Sequence, residues 1–383
     1  MALASTSFFA SFDVSAGAYT QDISPFLAEA IYYDLNFLEA VNIDWDMPVM
    51  DTVHYWNEDA LNSDTLTITS TSHTSAATTI CLSSTAMANR TFIGALLGVR
   101  TIAATEIMQV TDISGVSLTV TRGYNSTTAQ SIASGATLFS IDAQQEGSDI
   151  GNDASVAPTV RSNQTQILGV RDLKVTGTQL ARKMAATELQ DWVGHQVANR
   201  MIEMRRKLAF AAIYGEPSGT SAGSDTVYRT MQGIRSWARV NGVVYSTSGA
   251  FSYSTLNTVN KSLVDLGLFA DTLLVGTDLV GSISGIDSTL RRMYESDRHV
   301  GYTVQEIQLY QGNTVRVVVD SRVNTGDFFL FDRGRFRLKP MNGRGAFVIA
   351  ATDFADGRKR RVLGEWTNEL RNPEAAAYGY NQT

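Results

Sequence analysis

The chain changes its hydrophobic rhythm three times. Residues 23–41, "ISPFLAEAIYYDLNFLEAV", set Leu27, Ile31, Leu35 and Leu38 three and four apart, with Ser24 as candidate N-cap and Pro25 at the first helical position. That pattern predicts one short amphipathic helix. From Leu61 to Ala143 the helical period vanishes and Thr, Ser, Val and Ile alternate, as in "TLTITSTS", "EIMQVTD", "VSLTVTR" and "ATLFSID". Period-two alternation predicts strands, with "ISGVSL" around Gly115 as a tight turn between two of them. Residues 178–214 return to the helical period: Leu189, Trp192, Val193, Val197, Met201, Met204, Leu208 and Ala212 form a stripe that Gly215, Glu216 and Pro217 end. At 1.5 Å per residue such a helix is about 50 Å long, more than a compact domain is wide.

Beyond it, "YSTLNTVNKSLVDLGL" predicts a shorter amphipathic helix, "DTLLVGT" a buried strand and "DLVGSISGIDSTLRRMYES" another helix. A strand series follows: "TVQEIQLYQ", "TVRVVVDS", "DFFLFDRGRFRLKP", "AFVIAATDFA" and "RKRRVLGEWTNELR", the last two joined by a hairpin signal at Asp356-Gly357. The fold class is therefore α+β, with helices laid against an antiparallel sheet.

Composition supports a folded chain, since apolar residues make up 44% of the 383 and charged residues 18%. The net charge of −7 is unevenly spread: residues 1–160 carry 17 acids against Arg90, Arg100 and Arg122, and the remainder 28 bases against 21 acids. Such asymmetry suits copies that meet acid against base, or one face turned to a polyanion; a plain solubility balance fits it equally. One cysteine, Cys81, excludes an internal disulfide framework, and no Cys/His spacing suits zinc, so neither metal nor cofactor is expected. The N-terminal residues lack a basic region before an apolar run, and no stretch of 18 apolar residues exists, which points to a cytosol-like compartment and no membrane partner.

Candidate chemistry is sparse. Gly219-Thr220-Ser221-Ala222-Gly223 fits the nucleophile-elbow pattern but follows a long helix inside a Gly/Ser-rich loop, where a strand should precede it. His54, His73, His195 and His299 lack metal-binding spacing, and Asp44 with Asp46 lacks the glycine-turned loop of a cation site. Glu365 and Glu369 could form an acid/base pair, as in a carbohydrate-active hydrolase. On a strand, Glu365, Thr367, Glu369 and Arg371 would instead share a charged face, with Trp366, Asn368 and Leu370 packed opposite and Arg371 and Arg358 to Arg361 as ion-pair partners. The packed strand is preferred, and no catalytic residue is assigned. Arg333, Arg335, Arg337 and Lys339 would share a second strand face. With Arg358, Lys359, Arg360 and Arg361 they are candidates for a subunit interface or for a phosphate backbone read without base specificity.

Several segments, in order, resemble the major capsid proteins of tailed bacteriophages with the Hong Kong 97 fold, in the branch whose extended loop carries a β-rich insertion. "VHYWNEDALN", with Trp56 and Asp59, is similar to the segment leading into that loop, and "EIMQVTDISGVSLTVTRGYNSTTA", with Glu106, Arg122 and Gly123, to the insertion. "RSNQTQILGVRDLKVTGT", with Arg161, Asn163, Thr165 and Gln166, resembles the run before the spine helix; "RTMQGI", "RHVGYTV" and "LGEWTNELRNPEAAA", with Glu365, fit the rest.

The resemblance implies an N-terminal arm (1–59), an extended loop (60–150), a peripheral domain with spine helix 178–214 (151–249), an axial domain (250–330) and return strands (331–383). It also implies hexamers and pentamers closing an icosahedral head around double-stranded DNA, with portal and possibly scaffolding or decoration proteins as partners, assembled in the host cytoplasm. Another virion part, from the tail or the decoration, is the structural alternative. Some members of that family crosslink through a lysine in the extended loop; here the first lysine is Lys174, so no covalent crosslinking is expected.

Overall fold

The structure is a computed structural model, and it describes residues 36–59, 65–69, 71–100, 105–141, 158–178, 192–218, 223, 226–246, 248–285, 306–354 and 357–382. They divide into two compact units, one within Met1–Trp56 and Ser162–Thr383, the other within Asn57–Arg161.

The first unit is organised by one 14-residue strand, Gly357–Leu370. Along one edge it pairs antiparallel with Phe336–Pro340 and Phe347–Phe354; along the other with Gln166–Gly169 and Leu173–Thr176. Asn42–Ile43 adds in parallel beyond Phe336–Pro340. The long helix, Trp192–Tyr214, packs on this sheet through Met204, Leu208, Ala209, Ala212 and Ile213, buried at the three-and-four spacing, with Val197 and Met201 half-covered above them. The predicted stretch 179–191 lies outside the described residues, as do 23–35 of the first predicted helix, whose described end is Asn36–Ala40.

A second core sits under the helix Tyr253–Asp265, which buries Leu256, Val259 and Leu263 and starts on Ser252, whose hydroxyl accepts the Thr255 N–H at 3.2 Å. Its sheet runs in the order 243–245, 377–379, 328–331, 272–275, 314–319, 306–308. Here the expectation of an antiparallel sheet needs correction: Thr272–Val275 runs parallel to Thr314–Val319, and Val243–Tyr245 parallel to Ala377–Gly379. All four residues of Thr272–Val275 are buried, as a central strand covered on both faces requires. Only Val280–Gly285 of the next predicted helix is described.

"DFFLFDRGRFRLKP" is not one strand. Phe328–Phe331 belongs to the second sheet and Phe336–Pro340 to the first, because the Asp332 carboxylate accepts the Gly334 N–H at 2.8 Å, the Arg335 N–H bonds the Asp332 carbonyl, and the chain turns. Similarly, Gly357 is no turn residue but the first of its strand, opposite Phe354.

The second unit is a six-stranded antiparallel sheet in the order 65–67, 137–141, 96–100, 105–114, 117–121, 79–81. Alternation does what period two predicts: Glu106, Met108 and Val110 point inward from Thr105–Ser114, as do Leu118 and Val120 from Ser117–Thr121. Gly115, at φ +60°, takes the first position of the two-residue turn between those strands, where a type II′ turn calls for glycine.

Candidate functional site

The carboxylates of Gly357–Leu370 lie on the expected face, but that face is covered. Glu365 is 2% and Glu369 1% exposed. Glu369 is held by His54 Nε2 at 3.0 Å, Lys339 Nζ at 2.9 Å and Arg371 Nε at 2.5 Å. Burial pushes its pKa up, and the hydrogen bonds from His54, Lys339 and Arg371 outweigh that and hold it well below the usual carboxylate range. Glu365 accepts from Arg229 and Arg344, each at 2.8 Å, and from the Thr165 hydroxyl at 2.9 Å. Four residues of strand put the two carboxylates roughly 13 Å apart along it, beyond the spacing that lets two carboxyl groups share one glycosidic bond. Clamped by cations and too far apart, they cannot work as an acid/base couple.

Around them the segments singled out by sequence converge on one polar seam. Asn163 Nδ2 donates to the Asn368 carbonyl and to Asn368 Oδ1, each at 2.9 Å, while Asn163 Oδ1 accepts the Gln232 N–H at 2.8 Å. The Asn368 amide donates to the Gln232 carbonyl at 2.6 Å, Trp237 Nε1 donates to Asn368 Oδ1 at 3.2 Å, and Gln166 Oε1 accepts the Met231 N–H at 3.2 Å. Trp56 stacks on His54 and meets Trp237 edge-on at 5.6 Å, closing the seam with aromatic cover. Thus "RSNQTQI", "RTMQGI" and "GEWTNEL", remote in sequence, are tied by buried hydrogen bonds that leave little polar capacity unused.

The β-rich unit carries a second closed site. Arg122 spends all five N–H donors: Nε and one terminal nitrogen grip Glu106 at 2.7 Å each, and the rest reach the carbonyls of Thr74, Ala77 and Gln130. Glu106, fully buried, also accepts the N–H groups of Gly123 and Gln130. Burial raises its pKa, and the bonds from Arg122, Gln130 and Gly123 bring it below the ordinary value. Gly123 sits at φ +65°, with Thr127 O only 2.7 Å from where a Cβ would stand. Near the boundary of this unit Arg161 pairs with Glu58, while Asp59 is exposed.

The basic residues do not form the surface that alternation predicts. Lys339 is 5% exposed and bound to Glu369, with Asp44 at 3.8 Å, so it is an internal counter-ion and offers nothing to a partner. Arg337 stands 3.6 Å from Asp44; Arg335 pairs with Asp332 at 3.0 Å, and Arg333 lies in the turn, outside the strand. Lys359 and Arg361 pair with Asp172 and not with the glutamates further along their strand, and Arg361 holds the Asp172 carboxyl well below its usual range. Arg360 donates to the Lys359 carbonyl, and Arg358 is exposed. Of the histidines, His195 bonds Asn199 along the long helix at 3.2 Å, and the Cys81 N–H donates to His73. His299 and most of the Gly219–Gly223 loop lie outside the described residues.

One cluster went unread in the sequence. Asp327, 7% exposed, accepts from the Tyr214 hydroxyl at 2.8 Å and the Tyr378 hydroxyl at 3.2 Å, and the Arg235 guanidinium lies over both rings. Burial pushes the Asp327 carboxyl up despite these bonds, and pushes Tyr378 up to about 12. Its members lie at four separate places in the chain, and no local pattern joins them.

A long helix on a sheet built around one return strand, a second helix-on-sheet core and a separate antiparallel unit define the class: a phage capsid subunit of the Hong Kong 97 fold. The sequence matches the model of the SU10 major capsid protein over residues 5–381, and the chain belongs to that family. No curated protein matches it. Among solved structures it is similar to a chain from Microbacterium phage Oxtober96, at 10% identity over 95% of each chain with TM-score 0.50. Similar too are a chain from Mycobacterium phage Adephagia (11% identity, 98% of each chain, TM-score 0.49) and the capsid of Myoviridae phage XM1 (10% identity, 96% of this chain and 98% of that one, TM-score 0.48). The chain is a structural capsid protein of the virion.

Proposed function

We propose that the chain assembles without catalysis, as pentamers and hexamers, into an icosahedral head that encloses double-stranded DNA. The observation that carries this reading is the family match across nearly the whole chain. Many repeated heterologous contacts close such a shell although each is weak. In this reading residues 1–59 are the arm, 60–150 the extended loop, 151–249 with 331–383 the peripheral domain, and 250–330 the axial domain. The acid-rich half of one copy meets the base-rich half of the next, and Arg333, Arg335, Arg358 and Arg361 are the cations placed to take part in it or to touch DNA without reading bases. A portal, and scaffolding or decoration proteins, complete the particle in the host cytoplasm. Charge reversal at Arg358 and Arg361 that left both assembly and DNA retention unchanged would remove these residues from either role.

Expression of the chain alone, followed by sedimentation and negative-stain electron microscopy, tests the reading. Shells, tubes or isolated pentamers and hexamers are the expected products. A monomer that no co-expressed phage protein converts to particles overturns it.

A further inference from the structure

The C-terminal half of the long helix borders a groove of about 690 Å³, floored by Leu168, Phe210 and Tyr214 and rimmed by Arg206, Lys207 and Arg322. Phe210 is 50% exposed at its middle, a large aromatic side chain with half its surface uncovered on an otherwise packed helix. The rim acid, Glu216, is already paired with Arg239 at 2.8 Å, so the groove presents apolar surface under a cationic edge.

The described chain begins at that edge. The Phe37 N–H donates to Asp320 Oδ2 at 3.1 Å, Asp320 Oδ1 accepts from Arg322 at 3.1 Å, and Asn36 donates to the Val319 carbonyl at 2.8 Å. Residues before Asn36 therefore leave from beside Arg322. They carry Asp13, Asp22, Glu29 and Asp34 and no Lys, Arg or His, the charge complement of the rim. The stripe Leu27, Ile31, Leu35 ends on Leu38, which is buried in the same core as Leu168, Leu208 and Tyr214. Continued backward as a helix, the stripe stays on the side of that core, with Asp34 among its members. Thirteen helical residues span about 20 Å, enough to run from Arg322 past Arg206, since positions 206 to 214 cover about 12 Å of the long helix.

We propose that residues 23–35 dock in this groove on their own chain, with Leu27, Ile31 and Leu35 covering Phe210 and Leu168 and Asp34 meeting Arg322. The segment then acts as an apolar strap over the long helix.

The test uses the full chain with p-benzoyl-phenylalanine in place of Phe210, irradiated before any assembly. Because Arg90 is the first Lys or Arg, trypsin leaves residues 1–90 on one peptide, and a glutamate-specific protease then narrows the attachment. The expected product is an adduct at the mass of one chain mapping to residues 23–35. An Ile31→Asp variant should lower its yield by about tenfold, since a charge is placed against apolar surface. Adducts that map to another segment or run only at the mass of two chains overturn the proposal, as does a yield no higher than with the probe at Val240, an exposed position on another helix. Particle formation is scored separately by microscopy, so failure of the strap and failure of the capsid reading are told apart.

Discussion

At the scale of single residues, buried charge is spent on holding strands together. Lys339 and Glu369 are nearly solvent-free partners, and removing one leaves the other charge in a dry site. Glu369→Gln should therefore destabilise the first unit by about 3 kcal/mol, seen as a lower midpoint in denaturant. Arg122→Ala should cost the β-rich unit about as much, because Glu106 loses its counter-ion while fully buried. The two glutamates also set a pH dependence. Both are held below the ordinary value of 4.5, so their stabilisation is complete above that pH and is lost as pH falls through the depressed folded values. Asp327 opposes them: its carboxyl is raised, so the stability it contributes is fully present below the ordinary carboxylate value and is lost as pH rises through its own. In thermal melts at pH 7 and pH 3, Glu106→Gln and Glu369→Gln should each lose less on acidification than the parent. Alternation gave the shared face of Glu365 and Glu369 correctly, yet their partners His54 and Arg344 come from other segments and were not legible.

At the scale of elements, the long helix was legible because its stripe repeats over several turns, and its end because Gly215 and Pro217 stand together. What packs against that end was not. Gly233, before the helix Ile234–Asn241, donates its N–H to the Gly215 carbonyl at 2.8 Å, and a Cβ at Gly233 would lie 2.6 Å from the Gly215 nitrogen and 2.8 Å from the Ile213 carbonyl. Backbone atoms cannot swing aside as a side chain does. Gly233→Ala should therefore cost about 2 kcal/mol or more, a fall of several degrees in melting temperature for a unit of this size, whereas Gly343→Ala, with open space around its Cβ, should show only the milder strain of its positive φ. Misreading "DFFLFDRGRFRLKP" as one strand has the same origin. Phe and Arg alternate through the turn, and only the Asp332 carboxylate on the Gly334 N–H breaks the run.

At the scale of the whole molecule, the sequence signal that survives best is the arrangement of charge. The first 160 residues hold three bases and no lysine, the bases gather later, and the exposed members of that later set face outward beside internal pairs such as Lys339–Glu369. Long-range attraction between exposed acid and base is screened over about 10 Å at 0.1 M salt, whereas buried pairs are barely touched. Raising salt from 0.05 to 0.5 M should therefore release assembled particles into smaller species, read by sedimentation, while the melting temperature of the isolated subunit stays within about 2 °C. Unchanged particles across that range would place the inter-copy energy in apolar contact instead. Such dissociation requires that no covalent bond joins the copies, and with the first lysine at Lys174 the β-rich unit carries no amine to form an isopeptide bond. Mature particles boiled in detergent should accordingly run as a single band at 41.6 kDa, and a ladder of multiples would show that a lysine from the later half supplies the link.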